Sequence, residues 1–336
     1  MKRALVTGGN GFLGRYIVLG LLQRGWKVYS FARSSQQSLA DIGVSVIRGD
    51  LTDATEVRAA VADKDAVFHV AARAGIWGNW EDYYQPNVMG TRNVITACRV
   101  HQVKHLVYTS TPSVVFNGQP FRGEDEGIPY GTNWLCHYAR SKRIAEQEVL
   151  EANQDGGLKT IALRPHLIWG IGDPHIVPRI IAKARSGKLR IIGDGKNKVD
   201  ITHVENAADA HLHALDALLS GHPGGQAYFI SQGEPVVLWD WINDLLRGVG
   251  LAPISRKISF EKAYALGGML ENYWKFSKRE GEPPMTRFVA TELAKDHYYS
   301  ISAAHNQLGY IPKVTTAEGL AGLTRHILQN RDDYIH

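Results

Sequence analysis

Thr7-Gly8-Gly9-Asn10-Gly11-Phe12-Leu13-Gly14 follows a short strand-like run at 3–7 and leads straight into a segment, 12–24, whose apolar residues recur at helical spacing and stop at Gly25. A glycine-rich run alone marks only a turn. Between a strand and a helix it means more. The chain turns tightly, no Cβ blocks the backbone, and the helix N-terminus presents free N–H groups and the positive end of its dipole. This context predicts a seat for a dinucleotide pyrophosphate built from Gly8, Asn10, Gly11, Phe12, Leu13 and Gly14.

Outward from this bend the chain alternates. Strand-like runs at 27–32, 45–48, 66–70, 105–109 and 160–164 are separated by helical patterns at 54–62, 87–101 and 138–153. That rhythm predicts an α/β fold, a Rossmann-type doubly wound parallel sheet with ligands at the carboxyl ends of its strands. After Arg164, Pro and Gly loosen the pattern. Helices are expected at 177–186, 206–220 and 238–248, and strands at 189–192 and 227–231. The aromatic-rich stretch 255–290, with Tyr264, Tyr273, Trp274 and Phe276, reads as irregular. The expected division is a cofactor domain, 1–165, to which 199–220 returns. A smaller C-terminal substrate lobe takes 166–198 and 221–336.

Composition sets bounds. Of 336 residues, 44% are hydrophobic and 21% charged, which is ordinary for a globular chain. The two cysteines, Cys98 and Cys136, imply no disulfide framework and suit a reducing compartment. No leader is read before the first strand, so a cytoplasmic setting is expected, with the 255–290 aromatics leaving a peripheral membrane patch open. The net charge of +5 is scattered without a basic stripe, which argues against nucleic acid and fits an anionic small molecule.

Two further stretches carry chemistry. The second strand ends in Ser30-Phe31-Ala32-Arg33-Ser34-Ser35, with no carboxylate for a ribose 2′-hydroxyl. Arg33, helped by Ser34, can meet a 2′-phosphate, so NADP(H) is expected in preference to NAD(H). Asp50 can accept from the adenine amino group, while Asp53 suits a helix N-cap. Farther on, Tyr138-Ala139-Arg140-Ser141-Lys142 places a phenol and an ammonium one helical turn apart. A nearby ammonium favours the phenolate, so Tyr138 is expected to be drawn down from its ordinary range and to act as general acid or base. It follows Thr109-Ser110-Thr111-Pro112-Ser113, a hydroxyl-rich strand end that can hold a substrate oxygen.

These motifs, in this order, resemble the extended short-chain dehydrogenase/reductases, and within them the 3β-hydroxysteroid dehydrogenase family. The resemblance extends through Val67–Ala72, Asn87–Thr91, Arg164–Gly170, Val199–Asn206, Asp296–Ser300 and Leu308–Tyr310. Arg164–Asn206 is similar to sterol 4-carboxylate dehydrogenases. Ala71–Gly78 and Tyr108–Val114 look more like bacterial 2-alkyl-3-oxoalkanoate reductases of olefin biosynthesis. The resemblance implies NADPH-dependent reduction of a 3-keto group in a lipid-like keto acid, or alternatively oxidation of a sterol.

It also implies that Tyr138 is the general acid and that Lys142 tunes it and holds the nicotinamide ribose. Leu51, Ala71, Ala72 and Thr109 would border the cofactor, and Pro165, His166 and Ile168 the nicotinamide. Thr111 stands where the family usually has Ser, which leaves Ser113 and Ser110 as candidates. Gly170-Ile171-Gly172-Asp173 lacks the family's usual proline. Trp77 and Trp80 lie in the loop that faces substrate in such folds. A homodimer through two long helices and a pathway-enzyme assembly are expectations by analogy alone. A non-catalytic NADP-binding regulator is the rival of another class, and the intact Tyr138 and Lys142 argue against it. His69 reads as a core histidine. His203 and His211 lack metal-ligand spacing, so no metal is expected.

Overall fold

The computed structural model describes residues 1–277 and 279–334. Its largest sheet is built from β1 (Arg3–Thr7), β2 (Lys27–Ala32), β3 (Ser45–Arg48), β4 (Ala66–His69), β5 (His105–Thr109), β6 (Lys159–Pro165) and β7 (Gln226–Ile230). All neighbours are parallel, in the order β7-β6-β5-β4-β1-β2-β3. Both faces of the sheet are covered, and the strands' side chains alternate between two cores. Ala4, Val6, Phe68, Val107, Ile161 and Leu163 face one side. Leu5, Val67, Leu106, Tyr108 and Ala162 face the other.

The first core is closed by α1 (Phe12–Gln23), the later helix Val204–Leu219 and the short helix Ser302–Leu308. The second is closed by α2 (Ala54–Val61), α3 (Gly90–Val100) and α4 (His137–Glu151). Asp53 caps α2, accepting from Thr55 and Glu56 N–H at 2.8 and 3.0 Å. Because β1 has β2 on one side and β4 on the other, the chain reverses its winding between β1 and β4. A crevice opens there at the carboxyl ends.

A third core, around Trp169, Ile181, Trp239, Trp241 and Leu245, forms the smaller lobe. It is joined by a four-stranded sheet of Val236–Val237, Lys198–Val199, His297–Tyr299 and Phe121–Glu124. The expected division needs correcting. β7, at 226–230, pairs with β6 in the large sheet, and Ala304, Leu308 and Tyr310 pack in its first core. The chain thus re-enters the cofactor domain beyond 221, where β7 pairs along the free side of β6.

The stretch 255–290 holds an eighteen-residue helix, here α5 (Phe260–Ser277), rather than irregular chain. Its Ala, Leu, Met, Glu and Lys content favours helix, and the glycine pair at 267–268 obscured it. The pair has a packing cause: a Cβ on Gly267 would lie 2.6 Å from the backbone of Thr286. The pattern at 87–101 is preceded by a π-turn, Tyr84–Met89, where Pro86 offers no N–H to a regular ladder. Among the described residues no helix is long and apolar enough to cross a membrane.

One buried ion pair ties α4 to the sheet. Arg164 on β6 donates to Glu146 at 2.6 and 3.0 Å, with the two side chains 4% and 0% exposed, and the Tyr130 hydroxyl donates to the same carboxylate at 2.7 Å. Removing one partner strands the other. Glu146→Leu is expected to lower unfolding free energy by about 3–5 kcal/mol. Adding Arg164→Met should recover most of that loss, as read from urea unfolding midpoints.

Candidate active site

The crevice floor is a hydrogen-bonded weld between the ends of β1 and β4. Gly8 lies at φ +69°, and a Cβ there would stand 3.0 Å from the Ala71 Cα. Thr7 Oγ1 accepts from Val70 and Ala71 N–H, both at 3.1 Å. It is 2.8 Å from His69 Nδ1, while His69 Nε2 is 2.9 Å from Thr91 Oγ1. Thr91 donates its own proton to the Asn87 carbonyl at 2.6 Å. Thr91 therefore accepts from His69 Nε2–H, and His69 Nδ1 accepts from Thr7. Burial pushes His69 down to about 3, so it is a neutral structural histidine.

Tyr138 and Lys142 stand on the first two turns of α4. Lys142 is 2% exposed. Its Nζ donates to the Thr109 carbonyl at 2.6 Å and lies 4.2 Å from the Tyr108 ring centroid. Burial pulls this amine down to about 7, with the Glu146 carboxylate opposing. Burial raises the Tyr138 phenol to about 12, Cys136 adds to the rise, and a hydrogen bond with Thr111 opposes it. The expected lowering of Tyr138 by Lys142 is therefore absent in this structure. The amine is turned onto a carbonyl and an aromatic face, and desolvation dominates at both groups.

Of the three hydroxyl candidates, Thr111 is the one near enough to the Tyr138 phenol to act on it, and its Oγ1 donates to Ser113 Oγ at 3.2 Å. Ser110 is buried with its Oγ unpaired. Thr109 is already committed at both ends: its carbonyl to Lys142, and its hydroxyl to His211 Nε2 at 2.8 Å.

Asn87 was singled out by no chemical signal in the sequence. Its Oδ1 accepts from Arg73 N–H at 2.7 Å, and its Nδ2 donates to the Arg73 carbonyl at 3.0 Å and to Ser141 Oγ at 2.9 Å. It fastens the loop after β4 to the catalytic-motif helix. A buried amide in an otherwise apolar pattern was the available clue.

At the far end of the crevice Arg33 is 79% exposed and 4.0 Å from Asp50. Asn10 Nδ2 donates to the Ser35 carbonyl at 3.2 Å, drawing the 33–35 loop to the glycine bend. Asp50 Oδ1 accepts from Thr52 N–H and Oγ1, both at 2.9 Å, and Leu51 is buried against the second core. Pro165 is buried at the end of β6. Leu167 holds a strained φ of +40°, between His166 and the half-buried Ile168.

The His166 ring is turned away toward His297, Nε2 to Nδ1 at 3.2 Å, and His297 Nε2 donates to the Glu292 carbonyl at 2.7 Å. His166, His297 and Glu292 have potential ligand atoms within 4.8 Å of one another. These contacts make the three a hydrogen-bonded chain. Asp173 caps the start of the helix Ile176–Arg185, accepting from the N–H groups of His175, Ile176 and Val177 at 2.8, 3.1 and 2.8 Å. Tyr16 on α1 pins the same loop by donating to the Ile171 carbonyl at 3.0 Å.

Trp80 packs on α4, with Arg140 4.3 Å from its ring centroid and the His137 ring 5.8 Å away, so His137 points away from Tyr138. Trp77 sits at the crevice rim, 5.9 Å from the Lys275 ammonium of α5.

Lys142 makes a prediction with a definite sign. Its amine is depressed from 10.5 to about 7 in the folded chain, so the unfolded chain binds more protons between those values. The cost to stability is full below pH 7 and is relieved as pH rises toward 10.5. Lys142→Met should raise stability at pH 7 by on the order of a few kcal/mol. That gain should shrink at pH 10, as read from thermal melts at both pH values.

The sequence model of the 3-beta hydroxysteroid dehydrogenase/isomerase family matches residues 5–261. A 2-alkyl-3-oxoalkanoate reductase of Stenotrophomonas maltophilia is 50% identical over 325 residues, covering 96% of this chain and 98% of the relative. A decarboxylating sterol-4-alpha-carboxylate 3-dehydrogenase of Mus musculus is 34% identical over 95% of this chain and 89% of its own. Among solved structures, the UDP-glucuronic acid 4-epimerase of Bacillus cereus in complex with NAD superposes with a TM-score of 0.74. It is 22% identical, covering 98% of this chain and 99% of that one, and carries the fold alone.

Proposed function

The chain belongs to the 3-beta hydroxysteroid dehydrogenase/isomerase family, an NAD(P)-dependent dehydrogenase family, and from that premise we propose that it reduces the 3-keto group of a 2-alkyl-3-oxoalkanoate with NADPH. The observation that carries this reading is the Tyr138–Thr111–Lys142 group beside a glycine-rich bend at the sheet's winding reversal.

The crevice fits a dinucleotide. Gly8 lets the bend close against Ala71, and the exposed Arg33, 4.0 Å from Asp50, could turn to form a bidentate pair with a 2′-phosphate. When bound, NADPH supplies the hydride. Tyr138, held protonated, donates its proton to the oxygen that becomes the hydroxyl. Thr111 and Ser113 would hold that oxygen, and Lys142 would hold the nicotinamide ribose. Gly8, Asn10, Gly11, Phe12, Leu13 and Gly14 take the pyrophosphate, with Asp50 and Leu51 toward the adenine. Ala71, Ala72, Pro165 and Ile168 line the way to the nicotinamide. Trp77 and the lobe around Trp169 and Trp241 face the substrate.

A sterol substrate is the second reading, favoured by the mouse relative. Both relatives' names place a carboxylate on the carbon next to the reacting one, so the two readings share their chemistry and differ in the shape of the apolar part.

The test is oxidation of NADPH with a 2-alkyl-3-oxoalkanoate and, in the opposite direction, reduction of NADP+ or NAD+ with a 3-hydroxysterol 4-carboxylate. Tyr138→Phe should lower kcat by about 10²–10⁴-fold with the fold intact. Arg33→Ala should raise KM for NADPH by about tenfold or more while leaving NADH turnover nearly unchanged. An unchanged kcat in Tyr138→Phe, or no turnover of either substrate, would overturn the reading.

A further inference from the structure

Helix α5 is apolar on two opposite faces. Its inner face is fastened: Ala263 packs in the third core, Gly267 lies flush against Thr286, and Glu271 pairs with Arg287 at 2.8 Å. The outer face carries Leu266, Met269, Tyr273 and Phe276, spaced three and four apart, so they form one ridge. Met269 is 63% and Phe276 89% exposed, whereas exposed apolar side chains elsewhere are scattered. A pinned helix has no means of rotating this ridge inward.

The surroundings are cationic. Arg256, Lys257, Lys262, Lys275 and Arg279 are exposed on or beside the helix, against the exposed carboxylates of Glu261 and Glu280. The C-terminal end of α5 also reaches the loop that follows β4. Lys275 lies over Trp77, and Glu282, just beyond, pairs with Arg179 at 3.0 Å and abuts Gly75.

We infer that the outer face of α5 is a docking surface for an anionic lipid bilayer, with Leu266, Met269, Tyr273 and Phe276 entering the interface and the flanking cations on the headgroups. The ridge is one helix wide. A stable dimer buries about 800 Å² on each partner, more than one such ridge supplies. An interfacial helix needs only its apolar face sunk about 5–10 Å with basic residues at its edges. Docked this way, the chain would hold its crevice close to a bilayer that carries a two-chain keto acid. This last point rests on the substrate reading above; the docking itself does not.

The test uses the full chain and vesicles of phosphatidylcholine, with and without about 30 mol % phosphatidylglycerol. Co-sedimentation is compared for wild type and the double variant Met269→Glu/Phe276→Glu. Wild type should bind the anionic vesicles about tenfold or more tightly than the neutral ones and lose that binding at high salt, and the double variant should bind about tenfold or more weakly.

Turnover of a short-chain, water-soluble 3-oxo acid should be equal in the two proteins, while turnover of a vesicle-borne long-chain one falls in the variant. Equal vesicle binding by the two proteins, or none by either, overturns the inference. So does a concentration-dependent dimer that the double variant abolishes, since the ridge would then meet a second copy. Absence of turnover with intact vesicle binding would sink the substrate reading alone.

Discussion

Everything in the crevice depends on how closely two strand ends approach. With Gly8 at a left-handed φ, the backbone after β1 sits against Ala71, and the Thr7 hydroxyl gathers the N–H groups of the chain leaving β4. Any side chain at position 8 would force these segments apart. The His69 link would lengthen with them, and through Thr91 and Asn87 so would the attachment of the post-β4 loop to α4. The glycine bend is thus a structural keystone, and on the proposed reading a phosphate seat as well. The orientation of Tyr138 and Lys142 is set partly from a strand neither belongs to.

The second organising constraint is a conflict between stability and chemistry. A lysine 2% exposed at the end of β5 has a carbonyl and a ring face for company but no adjacent counter-ion. The Glu146 carboxylate, one turn farther along α4, is held by Arg164 and Tyr130 instead. The arrangement costs folding free energy, and such local conflicts concentrate at functional sites. The same desolvation that weakens the ammonium keeps the Tyr138 phenol protonated, so the two groups are held at opposite ends of their ordinary behaviour.

What was legible in the sequence was what local pattern dictates. The glycine bend, the strand–helix alternation up to β6 and the Tyr138–Lys142 spacing all follow from short-range rules, and the observed elements lie within a few residues of the expected ones. What escaped was long-range. Nothing near Gln226–Ile230 announces that it completes a sheet whose other strands end some sixty residues earlier. Likewise Gly267 looks like a helix breaker until Thr286 is seen pressed against it. The Thr315–Glu318 capping box that starts the helix Thr316–Gln329 is a local signal that went unread. Asn87 was hidden differently, since a single amide has no periodicity and its partners lie at 73 and 141.

The shift expected for Tyr138 shows where one-dimensional reasoning stops. Spacing of one helical turn puts two side chains on the same face, but it does not say which partner the charged one prefers. Here the Thr109 carbonyl takes the ammonium because β5 ends directly beneath α4, and Thr109 is itself held there by His211 from the opposite layer. Helix α4, strand β5 and the helix Val204–Leu219 are therefore coupled through one threonine. On the proposed reading, loss of the His211 hydrogen bond would act on the amine without touching substrate. A group that binds below the phenol, such as a ribose hydroxyl, would complete the partner set that the protein alone leaves short.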